Sequence, residues 1–300
     1  MSLDDLCDDR GIFRVLAVDH RDSLRLFLEP TAPETVPNEL LTSIKSDLVR
    51  AVSPFATGVM LEPEYSIPQL IDDGSLAPGV GFLAALESQG YLGDPGAGPT
   101  TVLDGWSVEQ AAASGASAAK LLLPYHPDLP LAAAQRAVAA GVLAECRRVG
   151  IPLVLEPLFY GVHDAAERAR VVLTTVEHFA DTGADLLKLP FPVDPTEVVD
   201  HDARVAACVE VSDRCRQPWA LLSGGGGFDV FAEQVAASIQ GGGAGFMVGR
   251  ALWGEAARCP ADRRDDVIHG TVLPRWRALT AAVERSADAR RPPNRFPTDP

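Results

Sequence analysis

The sequence predicts a single (β/α)8 TIM barrel, and three observations carry that prediction. Eight short apolar runs recur along the chain: 13–19, 58–62, 80–86, 118–124, 152–158, 185–190, 218–223 and 245–249. Their near-continuous hydrophobicity suits parallel strands covered on both faces rather than half-exposed antiparallel ones. From residue 118 onward the runs start at 118, 152, 185, 218 and 245, about one strand-plus-helix unit apart. The segments between them have helical period: Leu41, Ile44, Leu48 and Val52 share one face, as do Val172, Val176 and Phe179. Alternation of strand and helix leaves two architectures, a closed barrel or an open doubly wound sheet, and eight repeats favour the barrel.

Gly and Pro punctuate the ends of these elements, as in RRVGIP, DTGAD and GGGAG. Two long Gly/Pro-rich connections, 28–38 and 87–105, follow strands. They therefore emerge at the C-terminal face, where barrel enzymes place their chemistry. Residues 1–285 read as one domain without an internal boundary, and 286–300, RSADARRPPNRFPTDP from Arg285 on, as a mobile tail.

Composition narrows the function. A net charge of −15 with no basic run argues against nucleic acid as a partner. Any anionic ligand must instead be held by a local cluster of arginines and backbone N–H groups. No apolar stretch approaches the ~18 residues of a membrane span, and the acidic start MSLDDLCDDR has no signal-peptide core. Five scattered cysteines without a CxxC pair fit a reducing compartment. The expectation is a cytoplasmic protein acting on a small molecule. Subunit assembly is expected of such a barrel, but no sequence feature fixes its number.

The residue that needs explaining is Lys188. The chain has three lysines, Lys45, Lys120 and Lys188, against 23 arginines, yet Lys188 sits inside the apolar run DLLKLP. Alternate residues of a barrel strand face inward. That parity groups Leu186 with Lys188, Ala118 with Lys120, Val154 with Glu156, and Val15 and Ala17 with Asp19. Asp19, Lys120, Glu156 and Lys188 then enter the barrel mouth together, two cations compensating two carboxylates whose separate burial would be very costly.

A purely structural ion-pair network is the plain reading of these four. Their position at the C-terminal strand ends favours chemistry. At an ordinary pKa of ~10.4 only about one lysine in 2,500 is neutral at pH 7. Burial and a neighbouring ammonium both favour the neutral amine. Arginine cannot be deprotonated this way. Lys188 is therefore expected to be a nucleophile that forms a Schiff base with a carbonyl substrate. Lys120 would be its neighbouring cation and bind substrate oxygens, and Glu156 would shuttle protons.

A second signal is independent. The seventh run ends in SGGGG (223–227) before a helical segment, and the eighth ends in GR (249–250) before another. Barrels frequently bind phosphate with the loops after strands 7 and 8. Glycine N–H groups, Ser223 and the Arg250 fork make this pair a candidate phosphate site, at Ser223, Gly224, Gly249 and Arg250.

With these residues in view, the chain resembles the class I aldolases of the tagatose-1,6-bisphosphate aldolase and sulfofructose-phosphate aldolase family. The resemblance covers most of 11–255. It rests on LAVDHRDSLR (16–25), SPFATGVMLEPEY (53–65), GASAAKLLL (115–123), LVLEP (153–157), TGADLLKLP (182–190), PWALLSGG (218–225) and AGFMVGRALWG (244–254). It implies that Lys188 forms the Schiff base and Glu156 shuttles protons. It also implies that Lys120 and Asp19 assist at the sugar hydroxyls and that Ser223, Gly224, Gly249 and Arg250 hold phosphate. After the strand 1 aspartate the family typically reads DQR, whereas this chain reads DHR, so His20 bears on substrate identity more than on reaction type. His20, Arg21, Ser23 and Arg25 are candidates for the distal end of the substrate.

The expected activity is metal-independent cleavage of a phosphorylated ketose, with no cofactor, to dihydroxyacetone phosphate and an aldehyde. The ketose would be 6-deoxy-6-sulfofructose 1-phosphate or a ketohexose 1,6-bisphosphate such as tagatose 1,6-bisphosphate. A phosphosugar isomerase and a non-catalytic sugar-phosphate-binding barrel are the alternatives. A metal-dependent lyase would need His20, His126 and His163 to meet at the mouth, and their spacing matches no metal motif.

Overall fold

A computed structural model of the chain describes residues 1–88 and 94–287. It contains a closed barrel of eight parallel strands in sequence order. The chain runs β1 (Phe13–Ala17), α1 (Asp22–Leu28), α2 (Asn38–Val52), β2 (Gly58–Leu61), α3 (Ile67–Asp72), β3 (Gly81–Ala85) and α4 (Val108–Ala113). It continues β4 (Ala118–Tyr125), α5 (Ala132–Val149), β5 (Leu153–Phe159), α6 (Ala165–Ala180), β6 (Leu186–Leu189) and α7 (His201–Arg214). Then follow β7 (Trp219–Leu222), α8 (Phe228–Gln240), β8 (Gly245–Val248), α9 (Arg250–Arg258), α10 (Ala261–Val267) and α11 (Leu273–Ala287). All eight apolar runs became strands. Closure, which local pattern could not show, is made by β1 pairing with β8 at Val15–Met247 and Leu16–Val248.

The helices begin and end where short-range chemistry tells them to. Asp164 and Asp200 cap α6 and α7 by accepting hydrogen bonds from Glu167 and Ala203 N–H. Gly150, in the left-handed conformation, stops α5. Leu41, Ile44, Leu48 and Val52 bury one face of α2 against the strands, as the helical period predicts.

Two apolar layers result. The larger lies between the strands and the helical ring; the smaller fills the barrel, with Val15, Ala17, Met60, Leu83, Ala118 and Val154 among its members. The floor is closed by a 3₁₀ helix, Leu3–Leu6, whose Leu3 and Leu6 join the inner layer. Small residues on β2 and β3 make room for it. A Cβ on Gly58 would stand 2.8 Å from Leu6 Cδ2, and one on Gly81 would stand 2.6 Å from the Asp5 carbonyl oxygen.

The 286–300 tail largely falls outside the described residues, as do 89–93 of the long connection after β3; α11 itself extends to Ala287. Among the described residues no helix is long and apolar enough to cross a membrane.

Candidate active site

The inner layer confirms the strand parity, since Val15, Ala17, Ala118, Val154 and Leu186 all face inward. The inward positions nearest the C-terminal ends carry Asp19, Lys120, Glu156 and Lys188, exposed by 8%, 1%, 5% and 5%. Lys188 Nζ lies 2.9 Å from Glu156 Oε1. On its other side it is 3.7 Å from the sulfur of Met60. Lys120 Nζ donates to Asp19 Oδ2 at 2.8 Å and lies 3.1 Å from Glu156 Oε2. That last contact is one of charge only: Glu156 Oε2 is buried and accepts no hydrogen bond from the described residues. Glu156 thus spans the two lysines, one oxygen towards each.

Lys120 has a third carboxylate that sequence reasoning missed. Glu87, just past β3, accepts from Lys120 Nζ at 2.5 Å through Oε1 and from Leu122 N–H at 3.0 Å through Oε2. The signal was available, because Gly81, Leu83, Ala85 and Glu87 share one parity that continues into the loop. Burial works against the Lys120 ammonium, but Asp19, Glu156 and Glu87 together outweigh it and hold its pKa well above the ordinary lysine value. Burial likewise opposes ionisation of Asp19, yet Lys120 and Lys188 hold its carboxyl well below the usual range. Glu87 is raised, chiefly by burial; Lys120 counters this in part and Asp19 adds to it. Lys120 is therefore a fixed cation.

The Gly-rich turn and the GR pair converge beside Lys188. Gly224 and Gly225 take φ of 57° and 75°, a region that side chains rarely adopt, so the turn after β7 depends on glycine. Ser223 Oγ accepts from Gly249 N–H at 3.3 Å, tying this turn to the end of β8. Arg250 opens α9, and a Cβ on Gly225 would stand 3.7 Å from its Nη2. Lys188, Glu156, His20, Ser223, Gly249 and Arg250 all line one cavity of about 570 Å³. One wall of it offers an amine beside a carboxylate; the other offers backbone N–H groups, a hydroxyl and a guanidinium suited to an anion.

The four distal-contact candidates separate. His20 lines the cavity, with its ring edge-on to Trp253 at 5.3 Å between centroids. Burial pushes its pKa down to about 3, with Asp19 opposing and Arg250 and Lys188 adding to the effect. Its Nδ1 is buried without a hydrogen-bond partner among the described residues, 3.8 Å from Asp19 Oδ1. Gly249 makes room for the ring, since a Cβ there would meet His20 Cε1 at 2.9 Å.

The other three do not line that cavity. Arg21 is buried, donating to Glu64 at 2.8 Å and to the Glu87 carbonyl oxygen. Ser23 is buried in α1. Arg25 donates to the Val36 carbonyl, Asn38 and Tyr65, bracing the segment that leads into α2. Arg21 and Arg25 are thus committed to internal partners.

The third lysine is also internal. Lys45, on α2, forms a buried ion pair with Glu62. His126 Nε2 lies 3.8 Å from Glu167 Oε1 on α6, and the backbone N–H of His163 donates to Glu167 Oε2; neither histidine lines the cavity that His20 lines. Among the described residues no group of three His, Cys, Asp or Glu side chains is arranged to hold a metal ion.

Comparison with known proteins gives the chain its family. The tagatose 1,6-diphosphate aldolase of Listeria monocytogenes is 28% identical over 287 residues, covering 88% of this chain and 83% of that protein. A structure described as a Schiff-base-forming fructose-1,6-bisphosphate aldolase superposes with a TM-score of 0.61 at 20% identity, covering 94% of this chain and 98% of the other. The fructose-bisphosphate aldolase of Plasmodium falciparum gives 0.70 at 17% identity, over 96% and 93%. The model of the DeoC/LacD family aldolases matches residues 13–255, which takes in all eight strands and every cavity-lining residue named above. The chain belongs to the DeoC/LacD family of aldolases, which are carbon–carbon lyases.

Proposed function

We propose that this aldolase cleaves a phosphorylated ketose to dihydroxyacetone phosphate and an aldehyde through a Schiff base on Lys188. Candidate substrates are ketohexose 1,6-bisphosphates such as tagatose 1,6-bisphosphate, and 6-deoxy-6-sulfofructose 1-phosphate. One observation carries the reading: the Lys188 amine, 2.9 Å from Glu156, shares a cavity with the cradle of Ser223, Gly224, Gly249 and Arg250. The names of the relatives support a phosphorylated ketose as substrate class.

The residues divide the work as follows. The cradle holds the C1 phosphate and thereby sets the ketone carbon against Lys188 Nζ. The neutral amine adds to C2, and Glu156 gives a proton to the resulting carbinolamine hydroxyl, which leaves as water. The iminium so formed is an electron sink. Glu156, now a carboxylate, accepts the C4 hydroxyl proton; the C3–C4 bond breaks, its electron pair moves to the iminium, and the aldehyde departs. The enamine takes a proton at C3, and water hydrolyses the iminium to release dihydroxyacetone phosphate and free Lys188. Throughout, Lys120 donates to substrate oxygens and Asp19 accepts from substrate hydroxyls, which orients the C3–C4 bond.

Borohydride trapping tests this. The protein is reduced in the presence of dihydroxyacetone phosphate, tagatose or fructose 1,6-bisphosphate, or 6-deoxy-6-sulfofructose 1-phosphate, and the adduct is located by peptide mass spectrometry. A substrate-dependent adduct on Lys188 is the expected result. An adduct on Lys120 would keep the chemistry and reverse the roles of the two lysines. Folded protein giving no adduct with any of them would replace the aldolase reading by isomerisation or simple binding.

A further inference from the structure

Behind the phosphate cradle lies a second cavity, of about 840 Å³, that the aldol reaction does not use. Ser223, Gly224, Leu158 and Leu222 line both cavities, so the turn after β7 is the partition between them. The far side of the second cavity is apolar, built from Phe159, Phe191, Pro195 and Val230. Two polar side chains interrupt it, Arg168 from α6 and Gln234 from α8.

Both have hydrogen-bonding capacity to spare. Arg168 donates through Nε and Nη2 to the Phe191 carbonyl oxygen, at 3.4 and 3.1 Å. Its guanidinium lies over the Phe159 ring at 5.1 Å. It has no carboxylate within ion-pair distance among the described residues, which is unusual in a chain of net charge −15. Burial pulls its pKa below the ordinary guanidinium value, and Asp194 is the one carboxylate acting against that. The Nη1 side of the fork is left open, the side that grips a planar carboxylate bidentately together with the second Nη2 hydrogen. Gln234 is 93% buried, being 7% exposed, and its amide makes no hydrogen bond to the described residues. Gln234 lines the cavity, and its amide is thus free to meet a ligand there. Gly226 and Gly227, which lead into the 13-residue helix α8, line the same cavity and add the positive end of its dipole.

We propose that this cavity is a second ligand site, for a small carboxylate carried on an apolar body. The carboxylate pairs with the open edge of Arg168 and accepts from the Gln234 amide, while the body packs on Phe159, Phe191 and Val230. A single guanidinium and one amide match a monoanion better than a phosphate dianion, which the neighbouring cradle is built to hold. Occupancy would fix the 223–227 turn from behind, so the site is placed to alter phosphate affinity without touching Lys188.

The test uses benzoate as probe, titrated calorimetrically into the full chain. Wild type and Arg250→Ala are expected to bind one benzoate per chain with similar affinity. Arg168→Met is expected to bind at least about tenfold more weakly, because both charge-assisted hydrogen bonds of the fork are lost. Val230→Trp, at a position 41% exposed and so safe for folding, fills the cavity and is expected to abolish binding. Thermal unfolding of each variant controls for misfolding. Undiminished binding in Val230→Trp, loss of binding in Arg250→Ala, or no binding by wild type at millimolar benzoate would each overturn the proposal. None of these outcomes depends on borohydride trapping at Lys188, so the two readings stand or fall separately.

Discussion

Lys188 Nζ and Lys120 Nζ are bridged by one carboxylate, that of Glu156, at 2.9 and 3.1 Å. The two lysines differ in what else surrounds them. Lys120 has Asp19 and Glu87 as well, whereas Lys188 has the neutral sulfur of Met60. One amine is held as a cation by three carboxylates; the other meets a single carboxylate, which it shares. In the proposed mechanism, nucleophile and fixed charge are told apart by neighbours, not by residue type.

Lys188→Arg should keep the charge and lose the nucleophile, because a guanidinium is not deprotonated. Borohydride trapping should vanish and cleavage should fall to background, with the fold intact by circular dichroism. Glu156→Gln should slow formation of the trapped adduct, since dehydration of the carbinolamine loses its acid, and lower kcat by about 10²–10⁴, the usual range for loss of a general acid–base. Adduct formation and turnover both at the wild-type rate in Glu156→Gln would remove Glu156 from the proton transfers.

Lys120→Met leaves Asp19 and Glu87 buried without their shared cation. Breaking such a network from one side costs roughly 3–5 kcal/mol, which denaturant unfolding at pH 7 would read. The pH dependence follows from the directions of shift. Lys120 is raised in the fold, so its contribution is complete below the ordinary lysine pKa and is lost as pH climbs through the higher folded value. Asp19 is lowered, so its contribution is complete above the ordinary Asp pKa and is lost as pH falls through the lower folded value. Wild type should thus lose stability at both extremes, and Asp19→Asn should remove part of the acid limb alone.

His20, pushed down to about 3, should stay neutral across the working range of the protein. Its Cε1 proton resonance should be flat from pH 8 to pH 5. Between its ordinary pKa of about 6.5 and the folded value near 3 the unfolded chain binds a proton that the fold does not, so stability falls with acidification. His20→Gln should flatten that slope and change the preference among ketoses while leaving adduct formation on Lys188. A resonance titrating near pH 6.5 would refute the buried, neutral ring.

Leu6→Ala should open the barrel floor. Leu6 is fully buried against glycines of β2 and β3, and truncating such a leucine costs roughly 2–5 kcal/mol. Adduct formation at the opposite end should be unaffected in the folded protein. A loss below about 1 kcal/mol would mean that the 3₁₀ plug is dispensable.

Much of this was legible beforehand because a barrel strand obeys a period of two. Knowing that Val15 faces inward is enough to place Asp19, and the same step carries Leu186 to Lys188. Where the period ran past an assigned strand it was not followed, and Glu87 was missed for that reason. Lys45 sits one residue from Ile44 on the buried face of α2, but only the fold shows that Glu62 awaits it. Arg21 and Arg25 failed as cavity residues on different grounds. Sequence puts a guanidinium near a strand end, but it cannot say whether Glu64, a carbonyl or a ligand reaches it first. The Leu6 plug depends on contacts with glycines more than 50 residues away in sequence, beyond any local pattern.

All three lysines of the chain are interior, at 1%, 1% and 5% exposure for Lys45, Lys120 and Lys188. Its outer surface therefore carries no lysine side-chain amine. Acylating labels, amine crosslinkers and free reducing sugars meet arginine everywhere, which they leave unmodified under conditions that convert lysine. The one lysine lining the cavity with His20, Glu156 and Arg250 is Lys188. A carbonyl compound in bulk solvent must fit that cavity before it meets a lysine with which to condense, so the scarcity of lysine shields this chain from indiscriminate Schiff-base adducts on its side chains.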